Sequence, residues 1–495
     1  MPKIARERTE ENQRRIEAAA LALFTRQGFH GTNSREIAKK AGVSSGAIYT
    51  YFPNKEAIFS SLAQRYRLPM DEWLRQTVAS LREPLSRPAL AKLASSILRK
   101  TNDDPEFLLL LLSDVIEFKN QHFLETFHDI PRQLQSILGP CLDRMKKQPG
   151  WRGEEPAFVL ASVCLYFFTY ALIEKHMHGE QHLGLSHEKA IDRFVELVSG
   201  GLWAGTKTPR RKPQESARDR DARLRVLYQG VRDRVDYIRF LSGRLWSSPP
   251  DVPPGPSESK TGGHLTSMLF FPEIPRDPID VQQLRIEAAA LQLFTRQGFH
   301  GANMRDIAEE AGVSPGAIYA YYASKEAIFE TLVRNYRHCM RKFLERVFKA
   351  LEDPFSRAGL RLFAVAIRSS VYNDAEYWLL MYIDVIEFKG RHFGNLFHNV
   401  PEQFRRLLGP AVDAVKKRPD WCGQDPALAM AMIYLHLVTY FVIERLMHGN
   451  QHLGVSDEEA VERFINFFSV GFWDSPAQAP SRKPPSRRRP SSRTI

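Results

Sequence analysis

The chain has 495 residues, 43% hydrophobic and 25% charged, with 69 Lys and Arg against 57 Asp and Glu, a formal net charge of +12. Such a length implies more than one domain, and the ordinary composition excludes a collagenous, fibrous or disulfide-built chain. The first fifteen residues are polar and charged, so no secretory leader is expected, and Cys141, Cys164, Cys339 and Cys422 stand far apart. They suit a reducing cytoplasm and form neither a disulfide framework nor a zinc knuckle.

The strongest signal is a duplication. Ile16–Leu21 recurs as Ile286–Leu291, and the offset of 270 holds without a gap to Trp203 and Trp473. From 16 to 59, 33 of 44 positions are identical; from 88 to 203, 51 of 116 are. A period this long marks a duplicated domain pair rather than a solenoid. In copy one a first helix runs to about Gln27 and stops at Gly28. Asn33 caps a short second helix, with Glu36 at the capping-box spacing, and Gly42 ends it. Ser44 opens a third helix through Tyr51, and a fourth begins near Asn54. Longer helices are expected over 88–101, 105–127, 132–147, 155–178 and 187–203, parted by Pro131, Pro149-Gly150 and Gly179. No stretch alternates as a strand does, so the fold class is all-α.

Residues 205–276 form a linker rich in Pro and Gly. Within it Leu224, Leu227, Val231, Ile238, Leu241 and Leu245 recur at helical spacings, which predicts one amphipathic helix. The tail 475–495 is basic and rich in Pro and Ser, and is expected to be disordered.

Asn33–Phe52 has the logic of a helix-turn-helix. Ile37, Ala38, Val43 and Ile48 bury between two helices, and Gly42 makes the turn. Such a unit sets the start of its second helix in the DNA major groove. Tyr49, Tyr51 and Lys55 have polar tips that can reach phosphates. Charge separates the copies. Residues 1–67 hold twelve Lys/Arg and six Asp/Glu, giving +6; residues 275–337 hold seven and eight, giving −1. Lys39-Lys40 becomes Glu309-Glu310, so copy two is the poorer in phosphate attraction. Residues 206–274 and the tail add +5 and +6, as solvated segments or as basic arms on DNA.

The Gly28-Phe29 pair, the Gly-Val-Ser-Ser-Gly-Ala-Ile-Tyr-Thr-Tyr-Phe run from Gly42 and the Lys55–Phe59 segment resemble the signature of the TetR family of bacterial repressors. Copy two repeats it from Gly312 to Tyr322, followed by Lys325-Glu326. The resemblance implies two helix-turn-helix domains, 10–70 and 280–340, each followed by a helical ligand-binding and dimerisation domain, 71–204 and 341–474. It implies DNA contacts from Asn33, Ser34, Arg35, Ser44, Ser45, Gly46, Ala47 and Thr50, with Tyr49, Tyr51 and Lys55 on phosphate. In copy two the matching residues are Asn303, Met304, Arg305, Ser314, Pro315, Gly316, Ala317, Ala320, Tyr319, Tyr321 and Lys325. It also implies that 155–178 and 187–203 pack on 425–448 and 457–473, here within one chain.

The apolar run 157–173 and its partner 427–443 fall short of the roughly 20 residues of a membrane span and are expected to be buried. Asp114, Glu117 and His122 recur as Asp384, Glu387 and His392. They are candidate ligand contacts, or structural pairs at the junction between domains. His176, His178 and His182 hint at metal, but Leu446 replaces His176 in copy two, and no metal site or cofactor is expected. No catalytic motif stands out, so the chain reads as a regulator rather than an enzyme. The expectation is a cytoplasmic repressor, a single-chain pseudo-dimer on double-stranded operator DNA, with a homodimer as the other assembly. A small apolar effector that releases it comes from the resemblance alone. The alternatives are an effector-independent or architectural DNA-binding protein, and an interaction scaffold that has lost DNA binding.

Overall fold

A computed structural model describes residues 3–200 and 278–470, apart from 149–150, 152–154, 178, 180, 395, 422–423 and 448–450. The linker, its amphipathic stretch and the basic tail lie outside the described residues. Copy one contains α1 (Lys3–Gln27), α2 (Ser34–Ala41), α3 (Ser45–Tyr51), α4 (Lys55–Ala79), α5 (Arg87–Asp103), α6 (Pro105–Phe118), α7 (Leu124–Phe127), α8 (Ile130–Lys146), α9 (Pro156–His176) and α10 (His187–Gly200). Copy two contains α11 (Pro278–Gly301), α12 (Met304–Ala311), α13 (Ile318–Tyr321), α14 (Lys325–Ala350), α15 (Arg357–Asn373), α16 (Ala375–Phe388), α17 (Val400–Leu408), α18 (Ala411–Lys416), α19 (Pro426–Leu446) and α20 (Asp457–Val470). Among the described residues there is no strand.

Two expected helices are broken. The span 105–127 divides into α6 and α7, because Lys119 and Asn120 turn to positive φ (53° and 61°). Fully buried Asn120 then donates to the Met447 carbonyl of copy two at 2.6 Å. Copy two breaks at the same place, with Lys389 and Gly390 at φ 58° and 74°, and in both copies a buried aspartate, Asp114 or Asp384, accepts from the amides that follow. In copy two the counterpart of α8 stops at Gly409 (φ 51°, ψ −129°), giving α17 and α18.

The copies pack on each other about a pseudo-two-fold. Reciprocal bonds define it: Ile130 N donates to the His452 carbonyl at 3.0 Å, and Val400 N to the His182 carbonyl at 2.8 Å. Each carbonyl is presented by a loop that a carboxylate shapes. Glu174 accepts from Gln181 N and His182 N (2.9 and 3.1 Å) and pairs with the His182 ring. Glu444 does the same for Gln451 and His452. At the centre α9 meets α19, and α10 meets α20. Phe158 lies 5.3 Å from Phe464. His436 is enclosed by Tyr166, Phe194, Phe464, Phe467 and Phe468. Burial pushes its pKa down to about 3, so it sits there neutral. Each fully buried ring contributes roughly 1.5–3 kcal/mol. Both α9 and α19 are 21 residues long and apolar enough to cross a membrane, so the length argument against a span does not hold. Their burial decides: 83% and 94% of their most apolar windows lie inside the protein.

A second junction joins the two heads directly. The turn after α1 lies against the turn at the end of α11, so closely that a Cβ on Gly31 would stand 2.6 Å from the His300 Cβ, and one on Gly301 2.8 Å from the His30 Cβ. Two buried carboxylates close this junction. Glu117 accepts from Phe29 N at 3.2 Å, and its other oxygen lies 3.1 Å from His30 Nε2. Glu387 accepts from Phe299 N and His300 N at 2.8 and 2.6 Å. Burial raises Glu117 to about 7 and Glu387 to about 8, the latter also through Glu117 itself. The other titratable groups around them are His30 and His300, both lowered by burial, and Lys55 and Lys325.

A carboxyl whose folded pKa is raised favours the fold below its unfolded pKa and loses that contribution as pH rises through the folded value. Replacing both acids with neutral Gln (Glu117→Gln with Glu387→Gln) should leave stability near wild type at pH 5. At pH 8.5 the variant should be the more stable, by on the order of 1.4 kcal/mol for each unit of pKa elevation. Urea denaturation at the two pH values measures this; a variant equally destabilised at both would contradict it.

Candidate nucleic-acid interface and effector cavity

Each head is fixed by local chemistry. In copy one the Asn33 side chain accepts from Glu36 N at 3.0 Å, and the Glu36 carboxylate reaches back to Asn33 N. This capping box starts α2, and Gly42 ends it at φ 66°. Ser44 Oγ accepts from Ala47 N at 3.2 Å and starts α3. Ile37, Ala38, Ala41 and Ile48 are buried between the helices. What remains outside is a polar edge: Arg35, Ser44, Ser45, Gly46, Tyr49 and Thr50 are exposed, Tyr49 by 58%. A Cβ on Gly46 would meet nothing within 4 Å. Its small size therefore serves no internal packing and leaves room for something outside the chain.

Copy two has the same frame with a weaker reading edge. Asn303 caps α12 through Asp306 N at 2.9 Å, and Ser314 accepts from Ala317 N at 3.2 Å. The second helix is shorter, Ile318–Tyr321 against Ser45–Tyr51, and begins with bonds of the three-residue kind, Tyr319 N to Gly316 O and Ala320 N to Ala317 O. Tyr319 is again 58% exposed, with Arg305, Pro315, Gly316 and Ala320 also outside.

Several expected contacts are placed otherwise. Lys55 is engaged within the chain, with two of its three N–H groups committed. Its ammonium donates to the Phe29 and Thr32 carbonyls at 2.6 and 2.7 Å and lies 4.1 Å above the Phe29 ring. Lys325 repeats this on Phe299 and Ala302. Each lysine staples the turn before its head, where unmatched carbonyls outcompete solvent. Met304 packs against the core. Tyr51 accepts from Asn12 at 2.8 Å and keeps its own proton to donate outward, whereas Tyr321 donates its proton to Gln282 at 2.7 Å.

The proposed ligand contacts are corrected too. Asp114 is wholly buried, accepting from His122 N and Phe123 N and pairing with the His122 ring at 2.5 Å. Asp384 does the same with His392 and Phe393. Glu117 and Glu387 serve the head junction. None of Asp114, Glu117, His122, Asp384, Glu387 and His392 lines the cavity. The His176 cluster makes no ligand set among the described residues: burial lowers His176 to about 4, and Glu174 holds the His182 Nδ1.

The cavity measures about 1000 Å³ and takes its walls from both copies. Arg67 and Arg337, Met70 and Met340, Thr169 and Thr439, and Met177 and Met447 face it at matching positions. Chemically its halves differ. Phe107, Leu108, Leu112 and Cys164 in copy one are replaced by Tyr377, Trp378, Tyr382 and Tyr434 in copy two. The Trp378 indole N–H is buried with no partner. The residues that line it were not singled out in the sequence, because the walls come from separate helices, α4, α6, α8 and α9 and their counterparts, with no motif to mark them.

Comparison with known proteins accords with the paired heads. The profile of bacterial regulatory proteins of the tetR family matches residues 16–62 and 286–332. The HTH-type transcriptional regulator YfiR of Bacillus subtilis is 36% identical over 191 residues, 37% of this chain and 90% of that protein. The chain belongs to the TetR family. Two further Bacillus subtilis regulators of the helix-turn-helix type are similar: YvkB, 24% identical over 39% of this chain and 97% of its own length, and YerO, 27% identical over 38% and 65%. This TetR-family chain thus carries two heads where the profile describes one, and its kind of activity is DNA-binding transcriptional regulation.

The lysine staple yields a test. Lys55→Met leaves two carbonyls without their donor and is expected to destabilise the fold by about 1–3 kcal/mol. The slope of log DNA affinity against log salt should stay that of wild type. A slope smaller by about one would instead mark a phosphate contact.

Proposed function

We propose that the chain is a cytoplasmic repressor released by a small effector, working as a single-chain pseudo-dimer on an asymmetric operator. The observation that carries this reading is the cavity shared by both copies. Its walls include α4 and α14, the helices that begin directly after the two reading helices. An effector that fills it pushes on both at once and changes the spacing of the heads, which a two-half-site operator reads as a change in affinity. The lining suits one amphipathic molecule per chain, mostly apolar, with hydrogen-bond acceptors toward Trp378 and the copy-two tyrosines. The intrachain pairing is supported by the reciprocal Ile130–His452 and Val400–His182 bonds. A tether holding one copy at about millimolar effective concentration for the other favours it too.

The heads present different chemistry to their half-sites. Thr50 offers a hydroxyl where Ala320 offers a methyl suited to thymine, and Ser45 stands against Pro315. Copy one carries the positive charge and contributes more of the affinity. DNA selected from random fragments should therefore show two unlike half-sites. Tyr49→Ala should weaken binding by about tenfold and Tyr319→Ala by less than about threefold. A perfect palindrome with equal losses would overturn the asymmetric reading. Light scattering at micromolar concentration should return the mass of one chain; a two-chain mass would overturn the pseudo-dimer.

A further inference from the structure

One histidine is placed differently in the two copies. In copy one, His122 Nδ1 is held by Asp114 and its Nε2 is satisfied by Ser60 Oγ at 2.8 Å. In copy two, Asp384 holds His392 Nδ1 at 2.6 Å, but the serine is replaced by Glu330. His392 Nε2 is buried and has no hydrogen-bond partner, and the side chain is only 6% exposed. It points between two carboxylates: Glu326 Oε1 lies 3.5 Å away and Glu330 Oε1 3.7 Å away. The three ligand atoms all lie within 4.8 Å of one another. Ligands at about 2.1 Å from a tetrahedral zinc ion stand about 3.4 Å apart, close to the two His392 separations.

We propose that Glu326, Glu330 and His392 form a binding site for a first-row divalent cation such as zinc, present in copy two and absent from copy one. Imidazole and carboxylate together suit such an ion better than they suit calcium or magnesium. Asp384 supplies the outer support that metal-bound histidines use, fixing the ring and leaving Nε2 as the ligand atom. Glu326 and Glu330 lie one turn apart at the start of α14, so both carboxylates face the same way. The rings of Phe329 and Phe388 stand edge-on to His392 at 5.2 and 4.4 Å and limit its movement. The cation competitor in place is Arg391, whose guanidinium pairs with the same Glu326 Oε1 and lies 5.6 Å from the Phe388 ring, on a side chain that is 63% exposed; the ion would have to displace it. The site would clasp the first turn of α14 to the loop after α16. It would tie head two to its effector domain, so an ion here stiffens the copy with the weaker reading edge.

The test is calorimetric titration of the full chain with zinc chloride, beside Glu330→Ser. That variant restores the residue of copy one and so leaves a local arrangement that folds. Expected is a site in the wild type that weakens at least about tenfold in the variant, so that the zinc bound at micromolar concentration falls by one per chain. A zinc-dependent rise in melting temperature should accompany it in the wild type only. Absence of zinc binding in the wild type, or the same affinity and stoichiometry in Glu330→Ser, would overturn the proposal.

Discussion

Two buried carboxylates hold the molecule's functional geometry in place. Glu117 and Glu387 each accept from the backbone amides of a turn that ends the first helix of a head. Those same turns are where the heads touch. A buried carboxyl without partners is costly, and here the partners are the amides and His30, while burial shifts both carboxyls toward their neutral form. From above, Lys55 and Lys325 grip the carbonyls of the same turns. Each turn is thus held through its N–H groups by α6 or α16 and through its C=O groups by the fourth helix of the head. A movement of α6 or α16 has a short mechanical route to the reading helices.

The fold was largely legible because local rules agree with one another. The capping box at Asn33, the left-handed Gly42 and the serine cap at Ser44 each set a boundary that the structure keeps. Boundaries failed where tertiary partners decided them. Nothing near Asn120 announces that its amide will serve a carbonyl 327 residues away, and the break itself is a left-handed cap that copy two repeats at Lys389 and Gly390. The site was legible in outline only. Spacing alone put Tyr49 and Lys55 on the same footing, both polar-tipped near the reading helix. The structure separates them, since Lys55 finds two carbonyls inside and Tyr49 finds none. The acids flagged as matching in both copies proved to be structural pairs, and the lining of the cavity carried no local signature, since residues from 67 to 447 close it together.

The two copies have diverged in a consistent direction. Copy one keeps the longer second helix of the helix-turn-helix, the positive head and a cavity wall without tyrosine or tryptophan. Copy two has an acidic head, a shorter reading helix, hydroxyl-bearing rings around the cavity and a histidine left facing carboxylates. Its frame is nonetheless intact: Asn303, Gly312, Ser314 and Lys325 do the same structural work as Asn33, Gly42, Ser44 and Lys55. The scaffold of the second head is retained while its outward chemistry has changed.

The reciprocal bonds between the loops at His182 and His452 show how such divergence is tolerated. In a symmetric dimer of identical subunits every substitution is made twice, and any harm at the interface is doubled. Fusing the halves removes that coupling. A proline at 315, or a glutamate pair at 309 and 310, stands in one half only. The covalent link therefore lets each half carry substitutions that its twin does not share.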